Sequence, residues 1–143
     1  MPRPTLDPAA LAPGLKLPPH ERQFTEADLM AYGAATWDWH RLHYDDRYAK
    51  GKGLPAPVID GQVYGALFAR VATDWAGPGV FLSRLQLQMK SMAFAGDRLQ
   101  LTGEIVELDN TEAGLAIARL EQRLHAGDRL IAQARTELRW TGT

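Results

Sequence analysis

The chain has 143 residues, the length of one domain, and its 45% apolar and 23% charged residues are ordinary globular composition. Sixteen Lys and Arg against seventeen Asp and Glu leave a net charge of −1, without the basic excess typical of nucleic-acid binding. Zero cysteines exclude disulfides, thiolate metal sites and cysteine nucleophiles. No stretch comes near the roughly 18 consecutive apolar residues of a membrane span, and the N-terminus lacks a signal-peptide core. We therefore expect a cytoplasmic protein that binds neither nucleic acid nor membrane.

Residues 1–20 are rich in proline, which removes backbone donors, and this predicts an N-terminal arm ahead of a single domain over 21–143. Thr25, with Asp28 three positions later, predicts a capped helix over 26–35. Residues 36–52 are dense in aromatic, His and Asp residues without a clean period. They predict a loop with one helical turn near 46–50.

The strongest helical pattern begins at Asp60, whose carboxylate is suited to cap a first turn. Val63, Leu67 and Val71 fall on one stripe of this helix, and a neighbouring stripe is also apolar. Gly-Pro-Gly at 77–79 predicts its end. A helix that is apolar over much of its circumference is expected to be buried on more than one side.

After this helix the hydrophobic period changes to two, which predicts β-strands. The alternating segments lie at 84–90, 99–108, 115–124 and 130–140, with turns at 95–97, 109–114 and 126–128. A phase change after Ile105 predicts a β-bulge, and an earlier strand near 15–24 would complete the sheet. A curved antiparallel sheet around one long helix is the α+β hot-dog fold. One sheet and one helix cannot cover this apolar surface, so we expect a homodimer, a higher homo-oligomer or a hetero-oligomer with another hot-dog subunit.

Segment 36–45 places Asp38 and His43 five positions apart, ahead of the helix that opens with Gly61. A carboxylate and an imidazole can together bind and polarise one water molecule. A backbone N–H at the start of a helix can stabilise a developing negative charge on a carbonyl oxygen. These groups are the parts needed to add water across an α,β-unsaturated thioester.

The chain resembles MaoC-like dehydratases, which include the R-specific enoyl-CoA hydratases, in two motifs: Asp38-x4-His43, and Pro-Ala-Pro-Val-Ile-Asp-Gly at 55–61. Segment 71–78, together with Gly-Asp at 96–97, is similar to small single-hot-dog subunits of steroid side-chain hydratases. The resemblance covers roughly residues 20–140 and implies the hot-dog fold.

The resemblance also implies residue roles: Asp38 as general base toward water, His43 orienting that water and assisting proton delivery to Cα, and the Gly61 N–H binding the thioester oxygen. The implied reaction is reversible hydration of a trans-2-enoyl thioester, most simply an enoyl-CoA, to an R-configured 3-hydroxyacyl thioester. It needs no metal or redox cofactor, and CoA enters only as the carrier portion of the substrate.

Two positions depart from the family pattern, since His40 stands in place of an Asn and Asp60 in place of a His. These two residues and Tyr64, one helical turn further on, are the candidate substrate contacts.

Plainer interpretations of the same residues stay open. Asp38 can serve as a turn residue, His43 as a structural histidine and Asp60 as a helix cap alone. His40, His43 and Asp45 form an alternative metal-ligand set. At the level of the protein, the alternatives are a non-catalytic or half-site subunit of a heteromeric hydratase, and a hot-dog acyl-CoA thioesterase that releases free CoA.

Overall fold

The computed structural model describes residues 5–110 and 115–141. Its helices are α1 (Glu26–Thr36), α2 (Asp46–Gly51) and α3 (Gly61–Ala76), and short 3-10 turns cover Pro8–Ala10 and Arg41–His43. Its strands are β1 (His20–Gln23), β2 (Val80–Met89), β3 (Arg98–Asn110), β4 (Leu115–Ala126) and β5 (Arg129–Thr141). They form one antiparallel sheet in the order β1-β3-β4-β5-β2. The predicted α+β hot-dog layout, a sheet packed on one long helix, is confirmed.

Helix α3 begins and ends where the sequence predicts. The Asp60 carboxylate accepts the Gln62 N–H at 2.9 Å, and Gly77 ends the helix at a φ of 96°, a conformation that glycine adopts readily. Both apolar stripes pack in the core, with Trp75 at the end of the second stripe only partly buried, and this fixes the helix against the sheet. The buried residues are Val63, Tyr64, Leu67, Phe68, Val71, Ala72 and Ala76.

The sheet confirms the predicted bulge, because the β3–β4 register shifts between Ile105 and Glu107. Strand β1 is shorter than predicted: it has four residues, and Lys16 makes only an isolated bridge with Glu104. The prolines at 18–19 lie between that bridge and β1, and proline cannot donate a ladder hydrogen bond. The turn predicted over 109–114 is wrong at its start, since β3 continues through Asn110; residues 111–114 lie outside the described part.

Residues 5–17 of the predicted arm pack along the domain. Leu11 and Leu17 are buried in the same core as α3. The Leu6 N–H donates to the Ala76 carbonyl at 2.8 Å, and the Trp140 indole N–H donates to the Leu6 carbonyl at 2.9 Å. This contact joins the arm to the C-terminal end of α3 and to β5.

Helix α1 carries the predicted capping box. The Thr25 hydroxyl accepts the Asp28 N–H at 3.2 Å, and the Asp28 carboxylate accepts the Thr25 N–H at 2.8 Å. The helix ends one residue beyond the prediction, at Thr36, and the helical turn expected near 46–50 is α2. Within the described residues, no helix combines the length and the apolar character that crossing a membrane would require.

Candidate active site

His43 is held by the backbone of the segment that precedes α3. Its Nδ1 lies 2.8 Å from the Val58 carbonyl oxygen, and the Val58 N–H donates to the Leu42 carbonyl at 2.8 Å. A carbonyl can only accept, so Nδ1 carries the proton of the neutral ring and Nε2 carries the lone pair. The local backbone therefore fixes both the orientation of the imidazole and its tautomer.

Asp38 lies just past the end of α1. Trp37 terminates that helix in the left-handed region, at a φ of 61°, and the Asp38 N–H donates to the Gly33 carbonyl at 3.0 Å. The Asp38 Oδ1 accepts the His40 N–H at 3.1 Å. Asp38 is therefore a turn residue, one of the roles that the sequence left open for it. The bond to the His40 N–H uses only one of its two carboxylate oxygens.

Asp60 caps α3 through Oδ1, which confirms the predicted helix cap, and its contact with substrate stays a prediction. The residue is only 9% exposed, and its Oδ2 is buried without a hydrogen-bond partner among the described residues. Gly61 is the first residue of α3, so its N–H has no acceptor inside the helix. A free backbone donor and a free carboxylate oxygen are therefore adjacent at the start of α3.

Three segments bring Asp38, His43 and Asp60 together. One ligand atom from each side chain, a carboxylate oxygen or a ring nitrogen, lies within 4.8 Å of the other two. The predicted pair of Asp38 and His43 is therefore joined by a second carboxylate, at the position where the resembled family has a histidine. The cluster can hold a water molecule or another small polar group.

The alternative metal set of His40, His43 and Asp45 does not assemble. Asp45 caps α2 by accepting the Tyr48 N–H at 2.9 Å, and it pairs with Arg41 at 2.7 Å. These two bonds lower the pKa of Asp45, the Tyr48 bond more than the Arg41 bond. The structure therefore does not support this alternative, because Asp45 is engaged by Tyr48 and Arg41.

His40 stands beside the cluster as an exposed residue. Its Nδ1 accepts the Leu42 N–H at 3.3 Å, which starts the 3-10 turn that carries His43. The centroids of the two imidazole rings are 5.9 Å apart. His40 thus shapes the turn, and its contact with substrate stays a prediction.

Tyr64 lines the same region, but its hydroxyl is engaged by the backbone. It accepts the Ala93 N–H at 3.1 Å and donates to the Ile59 carbonyl at 3.4 Å. Burial raises the pKa of Tyr64, and the charges of Asp97 and Asp60 add to the rise. Burial and then the Asp60 charge likewise raise the pKa of Tyr32. Both tyrosines experience the negative potential of the Asp60 carboxylate.

An open pocket of about 350 Å³ adjoins His43 and Gly61. Met89 and Met92 form part of its wall and are 63% and 54% exposed. Met89 follows Leu85 and Leu87 in the apolar alternation of β2, yet the structure exposes it over Gly61. A Cβ added at Gly61 would overlap the Met89 sulfur. Depressions elsewhere, on the sheet and at the C-terminal end of α3, contain none of the clustered residues.

Comparison with known proteins identifies the family of this chain. Residues 10–122 match the MaoC like domain. The chain belongs to the MaoC-like family. A mitochondrial 3-hydroxyacyl-[acyl-carrier-protein] dehydratase of Arabidopsis thaliana is 25% identical to it over 91 residues, 64% of this chain and 54% of that protein. The MaoC-like chain therefore spans about half the length of that relative.

A second relative is the beta subunit of 3-oxo-4,17-pregnadiene-20-carboxyl-CoA hydratase from Mycobacterium tuberculosis. It is 24% identical over 111 residues, 78% of this chain and 84% of the subunit. Among solved structures, the (R)-hydratase of A. caviae superposes with a TM-score of 0.81 at 24% identity, covering 90% of this chain and 96% of that chain. The superposition shows that the MaoC-like chain shares the hot-dog fold of the hydratase.

Proposed function

We propose that this MaoC-like chain is a hydratase/dehydratase that adds water reversibly to a trans-2-enoyl-CoA, giving the R-configured 3-hydroxyacyl-CoA. The observation that carries the proposal is the convergence of Asp38 and His43 beside a pocket that also contains Gly61. The relatives support the reaction class, since one is named a dehydratase and the other a hydratase of acyl thioesters.

The reaction follows from the free atoms of these residues. The water oxygen bonds to Cβ while Asp38 accepts one of its protons, and the π electrons shift toward the thioester oxygen. The Gly61 N–H, at the positive end of the α3 dipole, stabilises the charge on that oxygen. The Nε2 lone pair of His43 orients the water, and the same nitrogen then takes the proton from Asp38 and delivers it to Cα. One proton leaves the water and one reaches Cα, so the pair returns to its starting state.

Every step in this scheme uses side chains and backbone of the chain itself. We therefore expect EDTA-treated protein to catalyse hydration without a metal or redox cofactor.

The test is a hydration assay that follows the loss of enoyl-thioester absorbance. Short-chain, long-chain and steroid-side-chain enoyl-CoAs are compared on the wild type and on the Asp38→Asn and His43→Ala variants. We expect both variants to lose at least about 10²-fold in turnover, the scale of acid–base catalysis. Asp46→Asn, which alters a carboxylate paired with Lys50 on the same segment, is the matched control and keeps wild-type turnover. Turnover that neither active-site substitution alters overturns the site, and release of free CoA thiol indicates a thioesterase.

The exposed edge strand of the sheet supports association of this chain with a second hot-dog subunit. Strand β2 pairs with β5 on one side and is the last strand in the order, and Phe81 on it is 63% exposed. An apolar edge strand favours pairing with another chain. We propose a homo-oligomer, tested by light scattering coupled to size-exclusion chromatography. A monomer that folds but hydrates no substrate supports the alternative, a subunit that needs a different hot-dog partner.

A further inference from the structure

The clustered side chains share a pattern in how the backbone holds them. The Oδ1 of Asp38 accepts the His40 N–H, and the Oδ1 of Asp60 accepts the Gln62 N–H. The Nδ1 of His43 donates to the Val58 carbonyl. Each side chain therefore keeps a second atom, Oδ2 or Nε2, and all three of these atoms carry lone pairs.

Of these three atoms, the Asp60 Oδ2 is the one that is buried without a hydrogen-bond partner among the described residues. A buried carboxylate oxygen without a partner is costly, so its presence points to a ligand that the oxygen meets. In the described part of the chain, the ion pairs of the Lys and Arg residues involve neither Asp38 nor Asp60.

One water molecule does not satisfy such a site in full. It has two protons to donate, whereas the cluster presents three acceptors, two of them on carboxylates. The charge of Asp60 also raises the pKa values of Tyr32 and Tyr64, for which burial is the larger cause. A divalent cation accepts electron pairs from two carboxylates and an imidazole at once.

We propose that Asp38, His43 and Asp60 bind one divalent transition-metal cation, and that the bound cation inhibits the hydration proposed above. Two carboxylates and an imidazole suit zinc or manganese, and the imidazole disfavours magnesium and calcium. Each of the three side chains is held by one hydrogen bond to the backbone, and hydrogen bonds of this kind orient metal ligands in proteins. The inhibitory part rests on the proposed function, whereas the binding site stands on geometry alone.

Inhibition follows from the atoms that the cation occupies. The cation takes the His43 Nε2 lone pair and an Asp38 oxygen, which the hydration reaction needs for water and for the proton. A cation-loaded site therefore lacks both its base and its proton relay. Binding and hydration are mutually exclusive states of one cluster.

Binding is tested on the EDTA-treated 143-residue chain in the absence of substrate. Zn²⁺ is titrated by calorimetry, and Mn²⁺ by the loss of its free-ion electron paramagnetic resonance signal. We expect one cation per chain, with affinity weakened at least about tenfold in Asp60→Asn. An asparagine retains the cap, because its Oδ1 still accepts the Gln62 N–H, and a thermal melt verifies the fold. Asp74→Asn, an exposed carboxylate on the same helix that pairs with Arg70, is the matched control and leaves affinity unchanged.

The outcomes separate the two proposals. Absence of a one-to-one cation, or an affinity that Asp60→Asn does not change, overturns the site. Hydration that proceeds in EDTA and is insensitive to Zn²⁺, or is stimulated by it, overturns the inhibitory role while the proposed function stands. One-to-one binding that depends on Asp60, in a chain that hydrates no substrate, supports the cation site and counts against the proposed function.

Discussion

The Nδ1 of His43 lies 2.8 Å from the carbonyl oxygen of Val58, fifteen positions further along the chain. This bond leaves Nε2 as the ring nitrogen that carries the lone pair, and it couples the loop of His43 to the segment that leads into α3. Its orienting role and the chemical role of Nε2 can be separated by substitution. An asparagine at 43 retains a donor at the position of Nδ1 but has no group at the position of Nε2.

We therefore expect His43→Asn to keep the fold and still to lose at least about 10²-fold in turnover. The measurement is enoyl-CoA hydration beside a thermal unfolding curve. An asparagine variant with turnover near that of the wild type would show that His43 only holds the loop in place.

Gly61 permits a test of the proposed backbone donor. Proline is tolerated at the first position of a helix, and Asp60 before it has a ψ of 132°, which suits a residue that precedes proline. Gly61→Pro removes the N–H, and we expect a loss of about 10²–10³ in kcat, the scale of one oxyanion donor. Gly61→Ala is the control, because it retains the N–H and meets the same flexible Met89 tip. Equal activity of the two variants in the kcat assay would remove Gly61 from the mechanism.

Gly33 positions Asp38 through close backbone packing. A Cβ added at Gly33 would lie 2.8 Å from the Asp38 carbonyl oxygen, a contact that real Cβ atoms do not make. We expect Gly33→Ala to cost about 1–3 kcal/mol of unfolding free energy, because the backbone must shift. Turnover should fall by about 10²-fold, since displacement of a catalytic group by about 1 Å has that effect.

The control for this effect is Gly51→Ala in α2, where an added Cβ meets nothing within 4 Å. Urea unfolding and hydration are measured on both variants. If Gly33→Ala behaves like Gly51→Ala, Asp38 does not depend on this contact.

The sequence predicts the helices well because their ends are marked by single residues. Asp60 and Gly77 bound α3, and Thr25 with Asp28 begins α1, through local hydrogen bonds that need no knowledge of the rest of the fold. The shift after Ile105 is equally local, since a bulge changes which residues of a strand share a face.

Other features depend on neighbours that are remote in sequence. Met89 continues the apolar alternation of β2, but it is the last residue of that strand and is 63% exposed, whereas Leu85 and Leu87 pack against the core. The sequence predicts Asp60 as a helix cap, and the residue comes within 4.8 Å of Asp38 and His43 only after three segments fold together. The hydroxyl of Tyr64 is likewise engaged by Ala93, which lies on a distant loop. The catalytic roles of Asp38, His43 and Gly61 stay predictions.

A buried polar pair ties α3 to the sheet and predicts non-additive stability. The Thr136 hydroxyl donates to the Gln122 side-chain oxygen at 2.7 Å, and the Gln122 amide donates to the Phe68 carbonyl at 3.2 Å. Both side chains are almost fully buried. Thr136→Val or Gln122→Leu alone leaves a buried polar group unpaired, and we expect each to cost about 1–3 kcal/mol of unfolding free energy.

The double variant Thr136→Val/Gln122→Leu removes both partners, so we expect it to cost less than the sum of the single changes. Urea unfolding of all four proteins gives the coupling free energy. If the double variant loses as much unfolding free energy as the two single variants together, the two side chains contribute independently.

Asp28 makes the capping box sensitive to pH. Its hydrogen bonds from the Thr25 N–H and then from the Thr25 hydroxyl, with Arg22 adding a weaker attraction, lower its pKa below the ordinary 3.8. A lowered pKa in the folded state means that the unfolded chain takes up the proton first, so stability rises with pH across this window. The stabilisation is present above the ordinary value and is lost as the pH falls through the lowered one.

We therefore expect the wild type to exceed Asp28→Asn in unfolding free energy at neutral pH. The difference should shrink at a pH well below 3.8, where the carboxyl is protonated in both states. Urea unfolding at the two pH values measures it. Glu26→Gln removes a neighbouring first-turn carboxylate outside the capping box and serves as the control. A difference between wild type and Asp28→Asn that is the same at both pH values would show that charge is not what the Thr25 bonds stabilise.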